Sequence, residues 1–171
     1  MTDSEPSGPL VLAIDLGTGG PKVALVGLDG SVRAHAVRTT DLLLTEDGGV
    51  EQDPAQWWST VCDAAREVLD TTGAASAVRA VSVTAQWMGT VPVDEHGQHL
   101  ANAVIWMDSR GAPDVTALVG GRLSISGYEP RKLRTWLRYT GGAPSPTGKD
   151  SLGHILWLQR ARPDLYAQAH A

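Results

Sequence analysis

At 171 residues, 42% hydrophobic and 19% charged, the chain holds enough apolar material for a sizeable core and lacks the charge bias of a disordered segment. A net charge of −5 argues against nucleic acid or an anionic membrane surface as partner, but not against a nucleotide, which meets a single loop. A lone cysteine, Cys62, excludes an intrachain disulfide, and no apolar run reaches membrane-spanning length. Residues 1–9 read as a flexible polar tail without signal-peptide features, so a cytoplasmic protein is expected.

From Val11 to Val26, two runs rich in aliphatic residues flank a turn containing Asp15, Gly17, Thr18, Gly19, Gly20 and Lys22. The runs predict the two strands of a hairpin. Glycines let backbone N–H groups converge into an anion-binding nest. Thr18 adds a hydroxyl donor and Lys22 a point charge suited to phosphate. Asp15 has no evident cation partner in the sequence, which suggests a divalent metal riding on that phosphate. The same residues also read as a plain turn braced by Asp15. The spacing fits neither the Walker loop nor the dinucleotide fingerprint, because a strand and not a helix follows.

Asp29-Gly30 marks a second tight turn, and Val32 to Thr40 a third strand. Leu42 to Val50 loses periodicity and reads as a loop. Asp53 is a good N-cap and Pro54 a good first helical residue. Trp57, Val61, Ala64, Ala65, Val68 and Leu69 then predict an amphipathic helix ending near Gly73. On it, Trp57-Trp58 reads as core and rim packing and Cys62 as a small buried hydrophobe. Val78 to Thr84 predicts a strand buried on both faces, and Thr90 to Val93 and Ala103 to Trp106 predict short strands. The polar tips after the first and last of these three, Gln86-Trp87 and Asp108-Ser109-Arg110, are site candidates because open sheets hold ligands beyond strand ends. Taken alone, Asp108 and Arg110 also read as a surface pair or turn caps. Pro113 to Val119 predicts a short helix, and Leu123 to Tyr139 reads as helical over its last turn, with the part before it left open. Thr140 to Gly148 is a loop, the helix through Leu152 and Leu158 is stopped by Pro163, and a half-turn from Asp164 closes the chain.

These pieces, in this order, resemble the amino-terminal part of the FGGY carbohydrate kinases, especially the xylulokinase-like branch. The resemblance runs from Leu10 to His170, and the domain it implies is taken as residues 10–171. It rests on Asp15-Leu16-Gly17-Thr18 with Lys22, Glu51-Gln52-Asp53-Pro54 with Trp57-Trp58, Gln86 followed by Gly89, Ile105-Trp106-Met107-Asp108-Ser109-Arg110, Thr140-Gly141-Gly142, and Ile155-Leu156-Trp157-Leu158. It implies an α/β fold, the ribonuclease-H-like (actin-like ATPase) mixed sheet flanked by helices. It also implies ATP with Mg2+ as cofactors and a pentulose or related sugar or polyol as substrate. Gly17, Thr18, Gly19, Gly20 and Lys22 would then approach the ATP phosphates, and Asp15 would face the magnesium. Gln86, Trp87, Met88, Asp108 and Arg110 would line the sugar pocket. Pro21 departs from the family pattern by removing one N–H from the loop, and Trp87-Met88 stands where many xylulokinases carry Met-His and glycerol kinases Arg-Glu. The resemblance places the family's aspartate base and adenosine-binding domain beyond Ala171. A chain of this extent is therefore expected to be inactive alone, with a missing C-terminal half as partner or self-association through uncovered surface. Alternative readings are a non-catalytic sugar- or nucleotide-binding module, or an actin/chaperone-type ATPase fragment.

Overall fold

In the computed structural model, residues 8–170 are described; for residues 1–7, the expectation of a flexible tail lies outside them. The chain divides into two compact units. One is built from the chain up to Asp41 and from Pro54–Gln86, the other from Leu42–Asp53 and the chain from Trp87 onward.

The first unit is a four-stranded sheet with one helix. Strands β1 (Leu10–Gly17) and β2 (Gly20–Gly27) form the expected hairpin, β3 (Val32–Val37) pairs antiparallel with β2, and β6 (Val78–Ala85) pairs parallel with β1. The order across the sheet is β3-β2-β1-β6. Alternation along the strands sends Leu10, Leu12, Val23, Leu25 and Ala36 to one face. There they meet Ala64 and Val68 of α1 (Pro54–Thr72), which starts at the expected proline. Burying a leucine or valine of this kind contributes about 1.5–3 kcal/mol. Cys62 is free and half-buried, and Trp58 is exposed while Trp57 is partly covered.

The expectation that Val78 to Thr84 is buried on both faces is not met. Residues Arg79 to Ala85 are exposed, with Val81 at 60% and Val83 at 65%. The helix α1 packs chiefly over β2 and β3, so its cover does not extend across β6. Among the described residues no strand pairs with the outer edge of β6.

The second unit carries a small three-stranded sheet, β4 (Leu43–Leu44), β5 (Val50–Gln52) and β7 (Ala103–Val104), in that order. Two- and three-residue ladders carry no readable period, which is why Leu42 to Val50 reads as a loop. Helices α2 (Ala112–Val119), α3 (Pro130–Thr140), α4 (Ser151–Ala161) and α5 (Pro163–Gln168) follow. The helix α3 extends the expected last turn back to Pro130, and Gly141 ends it in the left-handed region at φ 74°. Asp150 caps α4 by accepting from the Gly153 N–H at 2.9 Å. On α4, Trp157 and Leu158 pack on Val104, with Leu165 of α5 alongside.

Candidate functional site

In the first unit the antiparallel register sets Asp15 directly opposite Lys22 and Gly17 opposite Gly20, leaving Thr18 and Gly19 as the loop. The pairing supplies the cation that the linear sequence did not suggest: Lys22 Nζ lies 2.9 Å from Asp15 Oδ2. Both side chains are substantially exposed, at 61% and 44%. An ion pair of this kind contributes at most about 1 kcal/mol, so an incoming phosphate can take Lys22 over at small cost.

The glycines of the loop divide by role. A Cβ at Gly20 would run into the Arg38 carbonyl oxygen, and its φ of 122° lies where other residues are strained. At Gly19 there is open space within 4 Å, so a ligand can come close to the backbone there. The carbonyls of Gly19 and Pro21 accept from the N–H groups of Thr40 and Arg38, which ties the loop to the end of β3.

Parallel pairing brings the C-terminal ends of β1 and β6 side by side. The Gln86 N–H donates to the Leu16 carbonyl at 2.9 Å. The Thr18 hydroxyl donates to Gln86 Oε1 at 3.1 Å. Two candidate residues drawn from different sequence motifs therefore meet.

In the second unit, Trp87 is 79% exposed, and Met88 sits at φ 60°, a left-handed conformation that costs a non-glycine residue of order 1–3 kcal/mol. Asp108 is 1% exposed. Its Oδ2 accepts from the Val50 N–H at 2.8 Å and Arg110 Nε at 2.9 Å, and its Oδ1 from the Arg110 N–H at 2.8 Å. The Arg110 guanidinium also reaches Glu51 at 2.6 Å and Asp47 at 3.3 Å, with Trp157 stacked on it at 3.7 Å. Burial opposes the Arg110 cation, but the hydrogen bonds and charges of Asp108 and Glu51 outweigh it and raise its pKa. A hydrogen bond from Thr45, reinforced by Arg110, holds Asp47 below its ordinary range. The slot exists because residue 49 is glycine: a Cβ there would meet the guanidinium.

Thus the structure joins Asp15 to Lys22, Thr18 to Gln86, and Asp108 to Arg110. Three members of the Arg110 cluster, Asp47, Glu51 and Trp157, were not among the expected site residues, although Glu51 and Trp157 stand inside the quoted motifs. His154, also not among the expected site residues, is fully buried, with Nδ1 3.1 Å from Thr90 Oγ1 and Nε2 without a hydrogen bond. Its place on the apolar stripe of α4, three residues before Trp157, was the available signal. Burial lowers its pKa, against the opposing pull of Asp108 and Asp150.

Among the described residues no group of three or more His, Cys, Asp or Glu side chains could hold a metal ion. A single carboxylate such as Asp15 suits magnesium that takes the rest of its shell from phosphates and water.

Residues 10–171 match the model of the FGGY family of carbohydrate kinases, N-terminal domain. The chain belongs to this family. Over 161 residues it is 32% identical to the xylulose kinase of Streptomyces rubiginosus, covering 94% of this chain and 31% of that protein. The crystal structure of xylulose kinase from Rhodospirillum rubrum superposes with a TM-score of 0.76 at 28% identity, over 94% of this chain and 31% of that one. The ligand-bound xylulose kinase from Lactobacillus acidophilus superposes at 0.77 and 19% identity, over 94% and 30%. The fold is therefore the N-terminal portion of the actin-like sugar-kinase architecture, with its mixed sheet and flanking helices. The chain spans about a third of the length of the relatives it matches. No helix among the described residues is long and apolar enough to cross a membrane.

Proposed function

We propose that this chain supplies the phosphate-loop and sugar-side elements of an ATP-dependent carbohydrate kinase acting on a pentulose or related polyol. The observation that carries the reading is the β1–β2 hairpin, in which Asp15 and Lys22 face each other beside an accessible Gly19 backbone. In this reading Lys22 would hold a phosphate oxygen and Asp15, its partner in this structure, would hold magnesium. Magnesium supplies charge neutralisation of the transferring group when bound. Gln86 is the polar contact to the sugar and Trp87 and Met88 its apolar wall. Asp108 and Arg110, the other sugar-side residues that the resemblance implies, have their charges committed to one another and to Glu51.

The reading assigns none of the 171 residues as the base that accepts the sugar proton. The purified chain should bind MgADP and D-xylulose in calorimetric titration and give no sugar-dependent ADP production in a coupled assay. Lys22→Ala should weaken MgADP binding and leave the melting temperature within a degree or two, as for an exposed pair. Undiminished nucleotide binding by that variant, or turnover by the chain alone, would overturn the assignment.

A further inference from the structure

We propose that Thr18 is a positioning residue that couples phosphate occupancy of the hairpin loop to the setting of the Gln86 carboxamide. The inference rests on the reading of the hairpin as a phosphate loop. A threonine hydroxyl carries one proton. That proton is donated to Gln86 Oε1 at 3.1 Å, across 68 positions of sequence. A phosphate oxygen at this loop can only accept, so a bond from Thr18 to phosphate withdraws the proton from Gln86. The exchange favours phosphate, since a hydrogen bond to a charged acceptor is roughly twice as strong as one between neutral groups.

The main chain of Gln86 stays pinned through its N–H to Leu16, so the response is confined to the side chain. Gln86 directly precedes the exposed Trp87 and the left-handed Met88. A change in its carboxamide is therefore a change at the proposed sugar side. Because such coupling is reciprocal, sugar held by Gln86 would alter phosphate affinity by the same factor.

The test is nuclear magnetic resonance of the 171-residue chain titrated with inorganic tripolyphosphate. The backbone amides of Gly17, Gly19 and Gly20 report loop occupancy, and the side-chain amide of Gln86 reports the exchange. In the wild-type chain both sets should move along one saturation curve. In Thr18→Val the loop amides should still titrate, while the Gln86 signal starts displaced from its wild-type position and stays there. Thr18→Ser keeps the hydroxyl and should restore the wild-type response. Loop shifts with an unmoved Gln86 signal, or a Gln86 response that survives in Thr18→Val, would overturn the coupling alone. Unmoved loop amides would overturn the phosphate-loop reading and the coupling with it.

Discussion

The guanidinium of Arg110 lies 3.7 Å from the ring centroid of Trp157 while it bonds to the fully covered carboxylate of Asp108. One side chain thus joins the tip after β7 to helix α4 and, through Glu51, to β5. Removing it would leave Asp108 buried without its cation. Arg110→Ala should therefore destabilise the second unit by about 3–5 kcal/mol. Arg110→Lys should recover only part of this, because an ammonium can neither fork between two carboxylates nor stack flat on an indole. Urea midpoints read by tryptophan fluorescence will decide, and a loss below about 1 kcal/mol for the alanine variant would refute the brace.

His154 makes stability depend on pH near neutrality. Its folded pKa lies below the ordinary value of 6.5, so the unfolded chain binds the extra proton first. The contribution is whole above 6.5 and is lost as the pH falls from there through the lower folded value. Between about pH 7 and pH 5 the urea midpoint should fall, and His154→Gln should flatten that slope. An equal slope in both proteins would place the effect elsewhere.

Gly19 and Gly20 should respond oppositely to alanine. At Gly20 the positive φ and the Arg38 carbonyl make Gly20→Ala destabilising, by more than about 1 kcal/mol. At Gly19 there is room, so Gly19→Ala should fold normally and lose phosphate affinity through obstruction of the backbone. Thermal melts and tripolyphosphate titration of the two variants separate the roles. A stable Gly20→Ala would contradict the packing account, and unchanged affinity in Gly19→Ala the binding account.

The bare strand β6 carries only one charge, Arg79, and neither proline nor glycine. Long edges without such guards associate. Light scattering of the chain at micromolar concentration should show self-association that Val83→Lys reduces. A monodisperse wild-type chain would remove this expectation.

What could be read from the sequence was local and periodic. The first hairpin, the Pro54 helix start and the strand before Gln86 all carry turn residues or clear spacing, and all three are present. The family motifs were likewise legible, because each is a short contiguous run. What escaped was pairing across distance. Lys22 as partner of Asp15 requires the hairpin register. The burial of Asp108 requires residue 50 to donate to it from another strand. The exposure of β6 depends on where α1 lies, and nothing within Val78 to Thr84 encodes that. Asp108 and Arg110 stand two apart in one motif, but the partners that absorb their charge are spread over Asp47, Val50, Glu51 and Trp157.

The two units are interleaved along the chain: Leu42–Asp53 belongs to the second but lies between β3 and α1 of the first. During synthesis the β4–β5 hairpin leaves the ribosome about fifty residues before β7, its partner, and the first unit can close at Gln86 while Glu51 and the wholly buried Gln52 still wait. The second unit therefore cannot be expressed as one continuous stretch of gene. Any excision of Trp87 onward leaves behind β5, Asp47, Glu51 and the glycine slot that Arg110 needs. Division of this protein for study calls for a circular permutation or a grafted copy of residues 42–53.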